Sequence, residues 1–257
     1  MAEGVVRTDA PAKAGAYGIY SSVMTLTSQQ AGALADLGLA SAPVAIAFTN
    51  TAPEGVSRVD GALAASCSYW REASNRSFYT TVADHLGCPI GAFTHGVSLS
   101  QQQATDLESL IGMMTELKYI KQEEIPLIPH RAEPMRFAVY APLAAARFVP
   151  DVVIFRGNAR QIMLMSEATR AAGIAEGTAV MGRPACAMIP QSVTAQTGVT
   201  SVGCIGNRVY TGLRDDELYI TVPGAAVGNL LDRLATVLEA NIALERFHLE
   251  RAMQKVG

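Results

Sequence analysis

The sequence of 257 residues has few charges and no excess of basic residues. Charged residues make up 17% of the chain, and the formal net charge is -3 at pH 7. Because nucleic-acid phosphates are bound by clustered Lys and Arg, this balance argues against a nucleic-acid partner. No apolar run approaches the roughly 20 residues of a membrane-spanning helix, and residues 1–7 lack the plan of a signal peptide. We therefore expect a cytoplasmic protein without a membrane partner.

Several short motifs that identify common enzyme classes are missing. The sequence contains neither the phosphate-binding G-x-x-x-x-G-K-[ST] loop nor the dinucleotide-binding G-x-G-x-x-G turn. It also lacks the G-x-S-x-G elbow that presents a nucleophilic serine in many hydrolases. The chemistry of this chain must therefore be sought in other residue types.

Cysteine is scarce, and its spacing is uninformative by itself. The four cysteines are Cys67, Cys88, Cys186 and Cys204, and no two of them form a C-x-x-C pair. In a reducing compartment such thiols are more often free, metal-bound or catalytic than disulfide-bonded. Without the local spacing of a zinc ribbon or ferredoxin site, a shared site must be assembled by the fold.

The richest stretch for chemistry runs over residues 84–96. It contains Cys88, His85 and His95 within thirteen residues, together with three glycines. Proline crowds the residue before it out of the helical region, so Cys88 is expected to be extended in a loop. A second stretch, residues 202–212, repeats the pattern around Cys204: a glycine before the cysteine, an Ile-Gly pair after it, and a glycine eight positions on. The echo favours two related halves.

Hydrophobic periodicity predicts an α/β or α+β fold of two similar lobes, with mixed sheets flanked by helices. We expect an N-terminal arm (1–25), a first lobe (26–122), a linker (123–134) and a second lobe (135–257), which could form one compact domain. A long C-terminal helix, with a charged end that could meet a second copy in a homodimer, is expected over about 226–253. The other predicted elements are strands over 44–48, 136–140, 151–155 and 217–222, and helices beginning near 28, 98–100 and 158.

Several motifs resemble those of the DUF169 family of bacterial and archaeal proteins. The resemblance runs from about residue 43 to the final helix, and all four cysteines match cysteine-bearing motifs of that family. The motifs are Asp84-His85, Cys88-Pro89-Ile90-Gly91, Ala141-Pro142-Leu143, residues 150–155, Cys186-Ala187, and Cys204-Ile205-Gly206-Asn207-Arg208 leading into Asp216-Glu217-Leu218. The family is uncharacterised, so the resemblance implies no particular activity.

The residues support several functional hypotheses. Thiolates bind soft metals and iron–sulfur clusters, so the four cysteines are expected to hold such a group and act on a small molecule by redox or lyase chemistry. His85 and His95 could bind a metal or carry protons, although a loop histidine is as often a hydrogen-bond partner. Arg208 could bind a carboxylate or phosphate, although a salt bridge to a nearby Asp or Glu is an equal alternative. The alternatives are a haem-binding or other cofactor-binding sensory or carrier module, a metal-free enzyme with a cysteine nucleophile, and buried thiols that only pack.

Overall fold

Six strands form one sheet in which every neighbouring pair is antiparallel. The computed structural model describes residues 24–182 and 184–254, so nearly all of the expected N-terminal arm (1–25) lies outside the described residues. The strands are β1 (Val44–Thr49), β2 (Phe78–Thr81), β3 (Phe137–Pro142), β4 (Val152–Asn158), β5 (Val199–Ser201) and β6 (Glu217–Pro223). The expected α/β class is confirmed, and a single sheet serves both halves of the chain.

Nine α-helices accompany the sheet within the described residues. They are α1 (Ser28–Leu37), α2 (Ser68–Ala73), α3 (Val82–His85), α4 (Pro89–Thr94), α5 (Gln101–Glu116), α6 (Ala159–Ala171), α7 (Met188–Ala195), α8 (Ile205–Thr211) and α9 (Val227–Gln254). Short 3-10 turns occur at Gln122–Leu127, Leu143–Ala145, Ala185–Ala187 and Gly224–Ala226. The long C-terminal helix is confirmed as α9. No helix of the described residues is both long and apolar enough to cross a membrane.

The strand order β2-β3-β1-β4-β6-β5 has an internal symmetry. In the half formed by β1 to β3, as in the half formed by β4 to β6, the first strand lies at the centre, the second at the edge and the third between them. Each third strand ends in a proline, Pro142 or Pro223, followed by a 3-10 turn. Equivalent hydrogen bonds hold the two turns, each to the residue just before the first strand of its half. The Leu143 N–H donates to Pro43 O (2.7 Å), and the Gly224 N–H donates to Asp151 O (2.9 Å).

The two halves of the sheet meet where β1 pairs with β4. Strand β3 follows the predicted linker (123–134), yet it pairs with β1 and β2, which precede that linker. The topological repeat therefore ends after β3, and the lobe boundaries 26–122 and 135–257 stay a prediction. The first half of the fold is accordingly β1 to β3 with their connections, and the second half is β4 to β6 with theirs.

Alternation along the strands sends side chains to two different cores. On β1, Val44 and Ile46 face one core, while Ala45 and Ala47 face the other. The second core is covered by the longer helices α1, α6 and α9, whose apolar stripes pack on the sheet. The first core is covered by the short helices α2, α4 and α7, and all four cysteines belong to this face of the sheet or lie beside it.

Local capping explains several helix starts. Asn158 caps α6 and Ser100 caps α5, each at a helix start that the sequence predicts, and each accepts a hydrogen bond from the backbone N–H three residues on. Helix α1 begins at residue 28, as expected, and Thr27 caps it. The stretch 84–96 is not the expected loop, because α3 ends within it and α4 begins at Pro89. Proline is well suited to the first helical position, while Cys88 itself is non-helical as predicted (φ -132°, ψ 89°).

Candidate functional site

The four cysteines occupy matching positions at the starts of short helices. Cys67, Cys88 and Cys204 are the residues immediately before α2, α4 and α8. Cys186 lies in the 3-10 turn that leads into α7. We call this group of four residues the cysteine centre. Each half of the sheet contributes two of its members.

The halves place their cysteines in equivalent pairs. Cys67 and Cys186 each lie between the first and second strands of their half, and each is 8% exposed. Cys88 and Cys204 each lie between the second and third strands, and both are half-buried. The sequence echo around Cys88 and Cys204 therefore corresponds to equivalent places in the fold. All four thiols are free.

Contacts between the halves tie the cysteine centre together. The Cys67 thiol of the first half lies beside the side chain of Asn207 of the second half. The Cys186 thiol of the second half lies beside the side chain of Thr94 of the first half. Asn207 Oδ1 also accepts from the backbone N–H of Cys204 at 3.2 Å and lies 3.7 Å from Cys204 Sγ. The centre thus lies where the two halves meet.

The two buried thiols are held in their protonated form. Burial raises the pKa of the Cys67 thiol to about 12, and the neighbouring Cys88 and Cys204 thiols raise it further, while the polar side chain of Asn207 opposes the shift. Burial likewise raises the pKa of Cys186, with added contributions from all three other thiols. The other thiols are therefore near enough to Cys67 and Cys186 for a negative charge on them to disfavour the ionisation of these two buried thiols.

The thiols are not preassembled at metal-ligating distances. Among residues 24–182 and 184–254, no group of three or more His, Cys, Asp or Glu side chains has a geometry that could hold a metal ion. The donor type suits a soft metal or an iron–sulfur cluster. Binding such a group would require the cysteines to approach one another and release protons.

His85 connects the loop before Cys67 to the sheet. Its ring is buried, with Nδ1 3.1 Å from Ser66 Oγ and Nε2 2.8 Å from Thr80 Oγ1. Burial lowers the pKa of His85 to about 3, helped by His95 and opposed by Asp84. The imidazole is neutral at pH 7, and both ring nitrogens have hydroxyl partners. The two hydroxyl contacts hold the ring in place, and the proton-carrier role expected for His85 stays a prediction.

His95 leaves one nitrogen without a partner. A carbonyl oxygen only accepts, so the 2.7 Å contact to Gly91 O assigns the ring proton to Nδ1. Nε2 then carries a lone pair, is buried, and has no hydrogen-bond partner among the described residues. Burial lowers the pKa of His95 to about 4; the Gly91 bond opposes this shift and Arg131 adds to it. His95 stacks on His85 with ring centroids 5.6 Å apart.

Arg208 is engaged in structural contacts. Its guanidinium donates to Asp215 Oδ1 at 2.8 Å and to the carbonyl oxygens of Arg214 and Val202. The salt bridge considered as an alternative from the sequence is therefore present, while an anion-binding role for Arg208 stays a prediction. Three other residues of the site went unrecognised: Ser66, Thr94 and Asn207. Each adjoins or lies near a predicted residue in sequence, but its partner is distant along the chain.

Comparison with known proteins identifies the family of the chain. The profile of the DUF169 family, described as "Uncharacterised ArCR", matches residues 34–233. A curated relative, "Uncharacterized protein MJ0308" of Methanocaldococcus jannaschii, is 25% identical over 170 residues, which cover 62% of this chain and 70% of that protein. No solved structure matches the chain. Because the profile covers most of the sequence, including all four cysteines, the chain belongs to the DUF169 family.

Proposed function

We propose that this member of the DUF169 family is a cytoplasmic protein that holds an iron–sulfur cluster or a metal ion through Cys67, Cys88, Cys186 and Cys204. The group would act on a small molecule by redox or lyase chemistry. The observation that carries the proposal is the convergence of four free thiols, two from each half, on one face of the sheet. Random placement of four core cysteines has no reason to follow the symmetry of the fold.

The charge balance of the centre supports a cationic occupant. Burial keeps the thiols of Cys67 and Cys186 protonated, and repulsion between neighbouring thiolates adds to this effect. A bound cation would offset the repulsion between the thiolates and displace the thiol protons. The affinity for the metal or cluster should therefore rise with pH. When bound, an iron–sulfur cluster supplies electron transfer, or a Lewis acid where one iron is open.

The chain's own residues have distinct tasks in this proposal. Cys67 and Cys186 would anchor the group on its buried side, and the half-buried Cys88 and Cys204 would hold its accessible side. Asn207 contacts two of the four cysteines and would orient them. His85 would fix the loop of Cys67 through Ser66.

Anaerobic purification followed by metal analysis and an absorption spectrum tests the proposal. We expect iron with broad absorption near about 400 nm, or a stoichiometric soft metal such as zinc without it. A sharp Soret band would instead establish the haem-binding alternative. Protein that takes up no metal or cluster under reconstitution, yet is alkylated selectively at one cysteine, would replace the proposal with a cysteine nucleophile.

The proposal includes assembly into a homodimer through the end of α9. Leu230, Leu231 and Leu234 are buried in the first part of this helix, whereas its last part exposes a set of apolar side chains. These are Ile242, Leu244, Phe247, Leu249 and Met253, each at least 50% exposed. Burying such surface between two copies would be favourable. Light scattering should give twice the mass of one chain for the unmodified protein. The Leu249→Glu variant should give the mass of a single chain.

A further inference from the structure

A cavity of about 440 Å³ lies beside the cysteine centre. One wall is the segment 120–129, which includes the 3-10 turn Gln122–Leu127. The other wall combines residues 178–181 with Ala187 and with Gln191 of α7. Ligand sites for small molecules have volumes of roughly 300 to 1,000 Å³, so the cavity is large enough for one.

The lining is mainly aliphatic. Ile120, Ile125 and Ile128 come from the first wall, and Val180 and Met181 from the second. Among the described lining residues there is no lysine or arginine. Phosphorylated and carboxylated ligands need such donors in an enclosed site, so the described walls do not suit an anion.

Gln191 and Glu124, two polar residues of the lining, are engaged with the protein. Gln191 donates from Nε2 to Thr178 O at 2.8 Å, which fixes its side chain across the second wall. Glu124 is the charged residue among the described lining residues, and its carboxylate accepts the backbone N–H of Lys121 at 3.0 Å. A ligand would therefore find apolar contact and few free hydrogen-bond partners. This favours an uncharged molecule with at most one or two polar groups.

The cavity shares a wall with the cysteine centre. Ala187, which lines it, directly follows Cys186 in the same 3-10 turn. Val180 and Ala187 belong to the apolar cluster that also contains Cys67 and Cys186, and Ile128 packs against that cluster. A molecule in the cavity would lie next to the backbone that carries a proposed ligand of the metal or cluster.

The rim of the cavity exposes large apolar side chains. Leu127 is 76% exposed and Met181 is 62% exposed, and both line the opening. Each buried Å² of apolar surface stabilises by about 25 cal/mol, so a ligand that covers these side chains gains affinity from them. The rim thus favours an apolar occupant in the same way as the interior.

We infer that this cavity binds the small-molecule substrate, and that the substrate is uncharged and predominantly apolar. Calling the occupant a substrate rests on the proposed function, but ligand binding in the cavity does not depend on a metal. The occupant would approach the cysteine centre from the side of Cys186. Its apolar part would contact the aliphatic walls of segments 120–129 and 178–181.

Two probes with eight carbon atoms test the inference: 1-octanol, which has an uncharged head group, and octanoate, which has an anionic one. Binding is measured by ligand-observed nuclear magnetic resonance and by calorimetry on protein as purified and after removal of any metal. We expect 1-octanol to bind in both forms, and octanoate to bind at least tenfold more weakly. Ala179→Trp, which places a large ring at the rim, should weaken 1-octanol binding at least tenfold. Ala175→Trp, on the same connection but outside the cavity, should not.

The outcomes separate the cavity from the proposed function. Equal binding of the two probes, or undiminished binding in a folded Ala179→Trp protein, would overturn the inference. Met181→Gln provides a second rim variant whose affinity should also fall. If metal is present and 1-octanol leaves its spectrum unchanged, the cavity is not the substrate site. If the protein takes up no metal but still binds 1-octanol with these preferences, the inferred binding site is supported and the proposed function is refuted.

Discussion

Asn207 Oδ1 lies 3.7 Å from Cys204 Sγ, and the same side chain lies beside the Cys67 thiol. One amide from the second half therefore contacts a thiol from each half. Asn207 is 1% exposed, and its Oδ1 accepts the backbone N–H of Cys204 at 3.2 Å, so the side chain has little freedom to move away. Its oxygen can accept from a thiol, and its NH₂ group could donate to a thiolate if the amide turned.

Asn207→Asp should impair metal binding through charge. A carboxylate next to Cys67 and Cys204 would disfavour their thiolates, and a like charge at this distance typically raises a pKa by one or more units. We expect the apparent affinity for zinc, measured by competition with a chromophoric chelator, to fall at least tenfold. The control Asn229→Asp, on the exposed surface of α9, should leave it unchanged. Equal affinities of the two variants would refute the role of Asn207.

Gly91→Ala should disturb both stability and the site. An added Cβ would lie 2.5 Å from Ser66 Oγ and 3.1 Å from Cys88 Sγ, so the loop before Cys67 and the Cys88 side chain would have to move. Such overpacking costs about 1 to 3 kcal/mol of unfolding free energy. Gly112→Ala is the matched control, because nothing lies within 4 Å of its added Cβ. In the exposed interior of α5 it should instead stabilise by up to about 1 kcal/mol in urea unfolding.

Long periodic segments explain why much of the fold was predictable. Strands β1, β4 and β6 are short apolar runs bounded by turn residues, and α9 has a sustained apolar face. The caps Ser100 and Asn158 follow from local hydrogen bonding that needs no tertiary information. The helices α2, α4 and α8 have only six or seven residues, too few for a periodic pattern, so they were not recognised.

Residue type alone marks the four cysteines as candidate ligands, but the groups that surround each thiol depend on long-range contacts. The thiol of Cys67 meets Asn207, and that of Cys186 meets Thr94, across roughly 90 to 140 residues of chain. No local pattern encodes such a pairing, since it arises when the two halves join their sheets through β1 and β4. The buried state of His85 was hidden for the same reason, because Ser66 and Thr80 enclose it only after folding.

The buried histidines predict loss of stability in mild acid. His85 has a pKa of about 3 and His95 of about 4 in the folded protein, against 6.5 for the ordinary side chain. Between these values the unfolded chain binds protons that the folded protein does not, so stability falls as the pH drops below about 6.5. At about pH 5.5 the loss should be roughly 1 kcal/mol or slightly more for each histidine.

Urea unfolding between about pH 5 and pH 7.5 measures this dependence. His85→Gln should flatten the slope, even if it lowers stability at every pH, because one proton-binding difference is removed. His248→Gln, on the exposed end of α9, should retain the slope of the unmodified protein. A pH-independent free energy of unfolding over this range would contradict the buried neutral state of both rings.

Cys88 separates metal binding from packing, because the structure gives its two simplest substitutions different effects on stability. Cys88 stands at the N-cap of α4 without a side-chain cap hydrogen bond. Serine is among the best N-cap residues and alanine among the poor ones, so Cys88→Ser should be about 1 kcal/mol more stable than Cys88→Ala. If Cys88 binds the metal or cluster, both variants should nevertheless lose it alike, since neither side chain supplies a thiolate. Metal analysis, the absorption spectrum and urea unfolding of the two variants give these quantities together. Full metal content in both would remove Cys88 from the site, whereas loss of metal only in the less stable alanine variant would assign the effect to packing.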